Sequence, residues 1–144
     1  MGIACAPAGA SVGLSSGTQR VTSLEASRVR EIVGPDAIVG VSAATVAEAQ
    51  AAQRAGADYL GVGGVASTAT KPEAGVLTIE ELREVVESVD IPVVAIGGVN
   101  AQTIPGLLGM GLAGYSIVSA IIAADDIEAA SRELRSLIDE GERA

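Results

Sequence analysis

From about residue 23 onward, short apolar runs alternate with segments of helical period. The runs IVGVS (38–42), YLGVG (59–63), VVAIG (93–97) and YSIVS (115–119) are short, continuous and contain β-branched residues. That pattern predicts parallel strands buried on both faces, not the strict alternation of a half-solvated strand. Between them, 45–55 opens on a threonine cap and stops at Gly56, and 78–88 carries the capping-box pair Thr78 and Glu81. Residues 102–109 read as a shorter helix. The last helix begins at Asp125-Asp126 and runs to about 139, and an earlier one covers 24–33 before Gly34-Pro35. Asp125-Asp126 could pass for a metal pair, but acidic residues at a helix start favour capping and offset the helix dipole.

Two segments, AQRAGADYLGVGGV and LGMGLAGYSIVSAI, echo each other. In both, a helix end meets a glycine-marked loop and then a strand, which is the rhythm of repeated βα units with right-handed crossovers. The fold class that follows is α/β: a partial (β/α)8 barrel of about four to five parallel βα units over residues 23–144. Residues 1–22 break the rhythm and read as an irregular leader with at most one weak strand, SVGLS at 11–15. A chain of 144 residues suits one domain, whereas a complete barrel usually needs roughly 200 residues or more.

Composition narrows the chemistry. The chain has two Tyr and neither Phe nor Trp, so its core is built from Val, Ile, Leu and Ala. A net charge of −9 repels a phosphate backbone and argues against general nucleic-acid binding. The acidic surface, with Lys71 as the sole lysine, is compatible with a high-salt cytoplasm. With no histidine, imidazole acid–base catalysis, Ser-His-Asp triads and histidine metal sites are excluded. The single Cys5 permits neither an internal disulfide nor a thiolate cluster, and it has no basic neighbours to activate it. No apolar run reaches the roughly 18 residues of a membrane span, and the N-terminus lacks the form of a secretory signal. A cytoplasmic protein without membrane partners is the expectation.

In parallel βα architecture the loops after the strands build the site. Gly97-Gly98 after VVAI by itself reads equally as a tight turn or as an anion cradle. Paired with Val118-Ser119 in the next strand-end loop, it points to phosphate, because glycine lets backbone N–H groups approach an anion and Ser119 adds a donor. In the loop after YLGVG, Thr68, Ala69, Thr70 and Lys71 place two hydroxyls and an ammonium within a span of four residues on the same rim, a grouping suited to a diphosphate. The blander reading is a polar loop with a stray lysine. Ser42 reads either as a cap for the following helix or as a substrate contact. Asp58 and Asp90 read as turn residues.

Taken together, GVSAATVAEAQAAQRAGADYLGVGGVASTATKPEAG, IPVVAIGGVN and YSIVSAII resemble the thiamine phosphate synthase family over about residues 24–140. The resemblance implies a (β/α)8 barrel that joins hydroxymethylpyrimidine diphosphate to thiazole phosphate, releasing diphosphate with Mg²⁺ assistance. It further implies catalytic roles for Ser42 and Lys71, at the pyrimidine diphosphate and its leaving diphosphate. Thr68, Ala69 and Thr70 would contact the thiazole phosphate, whose phosphate would rest on Gly98, Val118 and Ser119. The family's early Gln-x-Arg-x-Lys segment and Asn-Asp pair are not found. Thr22 and Ser23 stand where it carries a metal-binding aspartate, so the Mg²⁺ carboxylates are missing from this chain. The related thiazole tautomerases carry a histidine where this chain reads Gly63-Gly64-Val65.

A transferase of thiamine biosynthesis is therefore expected, with phosphorylated thiazole and pyrimidine as small-molecule partners. The alternative is a non-catalytic phosphate-binding half-barrel or assembly module. A different phosphate-binding barrel, such as a sugar-phosphate isomerase, is disfavoured by the T-x-T-K loop. Four or five units leave sheet edges open, which predicts self-association or a complementary chain.

Overall fold

The computed structural model of the protein describes residues 4–5, 23–64 and 77–143. Four parallel strands, β2 (Gly40–Ala43), β3 (Tyr59–Gly63), β4 (Val93–Ile96) and β5 (Gly114–Ser116), lie side by side in chain order. A two-residue strand, β1 (Ala4–Cys5), pairs antiparallel with β5 at the far edge. Helices α1 (Ser23–Val33), α2 (Val46–Arg54), α3 (Ile79–Glu87), α4 (Ile104–Leu107), α5 (Ser119–Ile122) and α6 (Ile127–Gly141) provide the crossovers and the closing layer.

The helix boundaries follow their caps. Thr45 Oγ1 accepts the Glu48 N–H at 3.2 Å to start α2. Gly56, at φ 86°, supplies the left-handed residue that ends it. At α3 the reciprocal box is complete: Thr78 Oγ1 accepts the Glu81 N–H, and Glu81 Oε2 accepts the Thr78 N–H at 2.8 Å. Asp126 Oδ1 accepts the Ala129 N–H at 2.9 Å, so the capping reading of the Asp125-Asp126 pair holds.

The expectation of strands buried on both faces is corrected. Register places Val41, Leu60 and Val93 in one row, and Ala43, Val62, Ala95 and Tyr115 in the next. All seven are buried, in one cluster with Ala49 and Ala52 of α2, Leu82 and Val85 of α3, and Leu134 of α6. The opposite face carries Ser42, Gly61, Val94 and Gly114 in one row and Gly63, Ile96 and Ser116 in the next. Of these only Ser116 is buried. The described helices cover a single face, so burial alternates along β2, β3 and β4 despite the continuous apolar sequence, while in β5 Tyr115 and Ser116 are both buried. Small residues shape the open face: a Cβ on Gly63 would lie 2.8 Å from the Ile96 carbonyl oxygen.

The run 115–119 is also corrected. Pairing stops at Ile96 opposite Ser116, because Gly97 and Gly98 turn left-handed at φ 78° and 76° and leave nothing for Ile117 to pair with. Ser119 instead opens the short α5, which the pattern does not predict. The expected strand at 11–15 lies outside the described residues.

At the N-terminal ends of the strands, Arg30 ties three segments together. Its guanidinium donates to the carbonyls of Gly34, Ala37 and Gly56 and to Asp58 Oδ2. The same Asp58 oxygen accepts the Val39 N–H at 2.6 Å. Asp58 is thus part of an inter-element clasp rather than a turn residue alone. Desolvation raises its pKa, but the Val39 hydrogen bond and the Arg30 guanidinium outweigh it and hold the carboxyl below its ordinary value of 3.8. A carboxyl depressed in the folded state contributes stability above the unfolded-state pKa and loses it as pH falls through the folded one. In urea titrations, the stability difference between the wild type and Asp58→Asn is therefore expected to be constant near neutrality and to shrink below about pH 4. A difference that grows on acidification would contradict the clasp.

Candidate functional site

Parallel register brings the strand ends to one rim. Gly63, Ile96 and Ser116 form a single row across β3, β4 and β5, and Ala43 ends β2 one residue earlier. Neighbouring strands are spaced about 4.8 Å apart, so the loops that begin at Gly64, Gly97 and Ile117 emerge side by side.

Gly97 is required as glycine. Its φ is 78°, and a Cβ there would lie 3.0 Å from the Gly64 backbone nitrogen. Among the described residues, the N–H groups of Gly97, Gly98 and Val99 have no backbone acceptor. A side-chain network holds the loop from behind. The Gly98 carbonyl accepts from Asn100 Nδ2 at 2.9 Å and from Thr103 Oγ1 at 3.0 Å. Thr103 Oγ1 accepts the Asn100 N–H at 2.9 Å, and Asn100 Oδ1 accepts the N–H groups of Gln102 and Thr103. Thr103 is buried. The turn reading and the cradle reading of Gly97-Gly98 are therefore compatible: a braced turn leaves its amides open.

On the adjacent strand end, Val118 and Ser119 are exposed. Ser119 is the first residue of α5; among the described residues the N–H groups of Ser119 and Ala120 have no backbone acceptor, whereas those of Ile121 and Ile122 donate to the Val118 carbonyl. Ser42 lies apart from this group. It is exposed on the open sheet face, with Gly61 and Val94 between it and β5 in its row. The cap of α2 is Thr45, so the capping reading of Ser42 is withdrawn.

Thr68, Ala69, Thr70 and Lys71 lie outside the described residues. The two ends of their loop are on this rim: the Gly64 N–H donates to the Ile96 carbonyl at 3.0 Å, and the Leu77 N–H donates to the Gly64 carbonyl at 2.7 Å. The two described residues that flank 65–76 therefore meet beside Gly97.

Sequence reading missed Asn100 and Thr103. The available signal was N-x-x-T directly after the glycine pair, a pattern in which both side chains can bond back to nearby backbone. It also missed the Arg30–Asp58 clasp, whose partners are separated by α2 and β2.

Among the described residues no three or more His, Cys, Asp or Glu side chains group to hold a metal. No described helix is long and apolar enough to cross a membrane. A separate apolar groove of about 480 Å³ lies between β5, α5 and α6, lined by Ile117, Ile121, Ile127, Leu134 and Ile138. At its edge Tyr115 donates to Glu142 Oε1 at 2.7 Å. Burial, then that hydrogen bond and the Glu142 charge, push the phenol well above its ordinary pKa, so it remains a neutral donor. The groove lacks the amide donors of the glycine rim.

A family model described as thiamine monophosphate synthase matches residues 13–121. A thiamine-phosphate synthase of Clostridium botulinum is 49% identical over 118 residues, covering 82% of this chain and 55% of that protein. One from Pyrococcus abyssi is 46% identical over 108 residues, covering 75% and 52%. The solved thiamine phosphate pyrophosphorylase from Pyrococcus furiosus matches with a TM-score of 0.71 at 42% identity, over 80% of this chain and 55% of that one. The chain spans about half the length of the curated relatives it matches.

Proposed function

Because this chain belongs to the thiamine monophosphate synthase family, we propose that its glycine rim binds the phosphate of a phosphorylated thiazole, as part of the transfer that makes thiamine phosphate. The observation that carries this reading is the Gly97-Gly98 turn, whose amides have no backbone acceptor among the described residues, beside Ser119 on the next strand end. Gly98, Val118 and Ser119 would take the phosphate, and Thr68, Ala69 and Thr70 the rest of the thiazole. Lys71 would hold the departing diphosphate, and Ser42 would touch the pyrimidine diphosphate from the open face. In that reaction the bond from the pyrimidine methylene to the diphosphate oxygen breaks, and one from the methylene to the thiazole nitrogen forms. Fixed donors and counter-charge matter more here than a general base, so a chain without histidine can serve. Mg²⁺ is implied by the family alone and would need carboxylates that the described residues do not group together.

Calorimetry of the intact chain with thiazole phosphate tests the reading. Saturable binding is expected, weakened about five- to tenfold by Ser119→Ala through loss of one hydrogen bond to a charged group. Absence of heat with the wild type would remove the ligand. A second reading is a phosphate-binding module without turnover. A synthase assay with both substrates and Mg²⁺ separates the two.

The protein is further proposed to be cytoplasmic and to self-associate, or to bind a complementary chain, through its open apolar surface. Ile122 and Ile127 beside the groove, and Ile32 on α1, are more than half exposed. Light scattering should show a species larger than a monomer; a stable monomer would count against this.

A further inference from the structure

The geometry points to Asn100 and Thr103 as positioning residues that hold the Gly98–Val99 peptide so that its amide faces the phosphate. The inference rests on the phosphate reading above and adds the residues on which that site depends. Asn100 Nδ2 and Thr103 Oγ1 both donate to the Gly98 carbonyl, at 2.9 and 3.0 Å. In a planar trans peptide the C=O and the following N–H point in opposite directions. Fixing the Gly98 oxygen from one side therefore aims the Val99 N–H to the other, and among the described residues that N–H has no backbone acceptor.

The orientation of both side chains is determined. Asn100 Oδ1 already accepts two backbone N–H groups, from Gln102 at 2.9 Å and Thr103 at 3.1 Å, so the amide cannot be reversed without opposing donor to donor. Thr103 Oγ1 accepts the Asn100 N–H at 2.9 Å, and its single hydrogen is then directed to an acceptor. The Gly98 carbonyl at 3.0 Å is nearer than the Asn100 carbonyl at 3.2 Å. With positive φ at Gly97 and Gly98, the loop has no side chain of its own to restrict it. Without the two donors, the amides would have to be ordered by the ligand, and that ordering would reduce affinity.

The test titrates the full chain with thiazole phosphate, reading the affinity by calorimetry and the Val99 amide by ¹⁵N–¹H NMR. In the wild type and in Thr103→Ser, which keeps the hydroxyl, the Val99 amide resonance shifts on binding. In Thr103→Val and Asn100→Ala the affinity falls about tenfold and the Val99 shift is lost, while the resonances of core residues such as Leu60 remain those of the folded protein. Should Thr103→Val fail to fold, Asn100→Ala decides. Unchanged affinity and an unchanged Val99 shift in a folded variant would overturn the positioning role and leave the phosphate reading intact, as would ligand binding to the wild type without a Val99 shift. Absence of any binding to the wild type would overturn both.

Discussion

Gly97→Ala is expected to weaken thiazole phosphate binding at least tenfold, with a concurrent loss of about 1–2 kcal/mol in stability. An L-residue at φ 78° is strained, and the new methyl would lie 3.0 Å from the Gly64 nitrogen, so the end of β3 would have to shift by a few tenths of an ångström. Gly64 donates to the Ile96 carbonyl and accepts from Leu77, so the displacement reaches both the glycine turn and the base of the 65–76 loop. Gly109→Ala is the control. Gly109 also has a positive φ, 69°, but nothing lies within 4 Å of its added Cβ. It should show the strain cost without the binding loss. Calorimetry on both variants, with thermal melts, separates crowding at the rim from backbone strain alone; equal effects of the two would remove the rim from the account.

Leu60→Ala should destabilise the chain by about 3–5 kcal/mol, a large fraction of the roughly 5–15 kcal/mol that keeps an ordinary domain folded. Leu60, the second residue of β3, is fully buried between Val41 and Val93 in its row. Both neighbours are on flanking strands, so the cavity cannot close without moving the sheet. Ile32→Ala, at a side chain 77% exposed on α1, should change stability by no more than about 0.5 kcal/mol. Urea midpoints measure both. A loss below 1 kcal/mol at Leu60 would mean that the sheet does not form the described core.

Elements set by local chemistry were legible in the sequence. The run 59–63 is β3 without adjustment, because its ends coincide with a polar turn and a glycine. The caps Thr45, Thr78 and Asp126 locate three helix starts, since capping depends on residues three positions apart. Features set by distant partners were not legible. That only one face of each strand is covered depends on where the helices pack, and apolar runs do not encode it. The end of β5 at Ser116 is decided by the glycine turn on β4, not by its own residues. The strand at Ala4–Cys5 exists only through its pairing with Tyr115 and Ser116.

The candidate site divides the same way. Gly98, Val118 and Ser119 were identified because strand-end loops in parallel sheets share a rim, and register brings them together. Ser42 was read from the same rule, yet it lies on the outermost parallel strand. Asn100 and Thr103 touch no predicted ligand and act on a carbonyl. Only the folded turn reveals that role.

A crystal structure of the chain with bound thiazole phosphate tests the central claim most directly. The account predicts a phosphate about 3 Å from the backbone amides of the Gly98 turn and from Ser119. A phosphate seated at the opposite rim, near the Arg30 guanidinium, or in the apolar groove between β5 and α6, would contradict it.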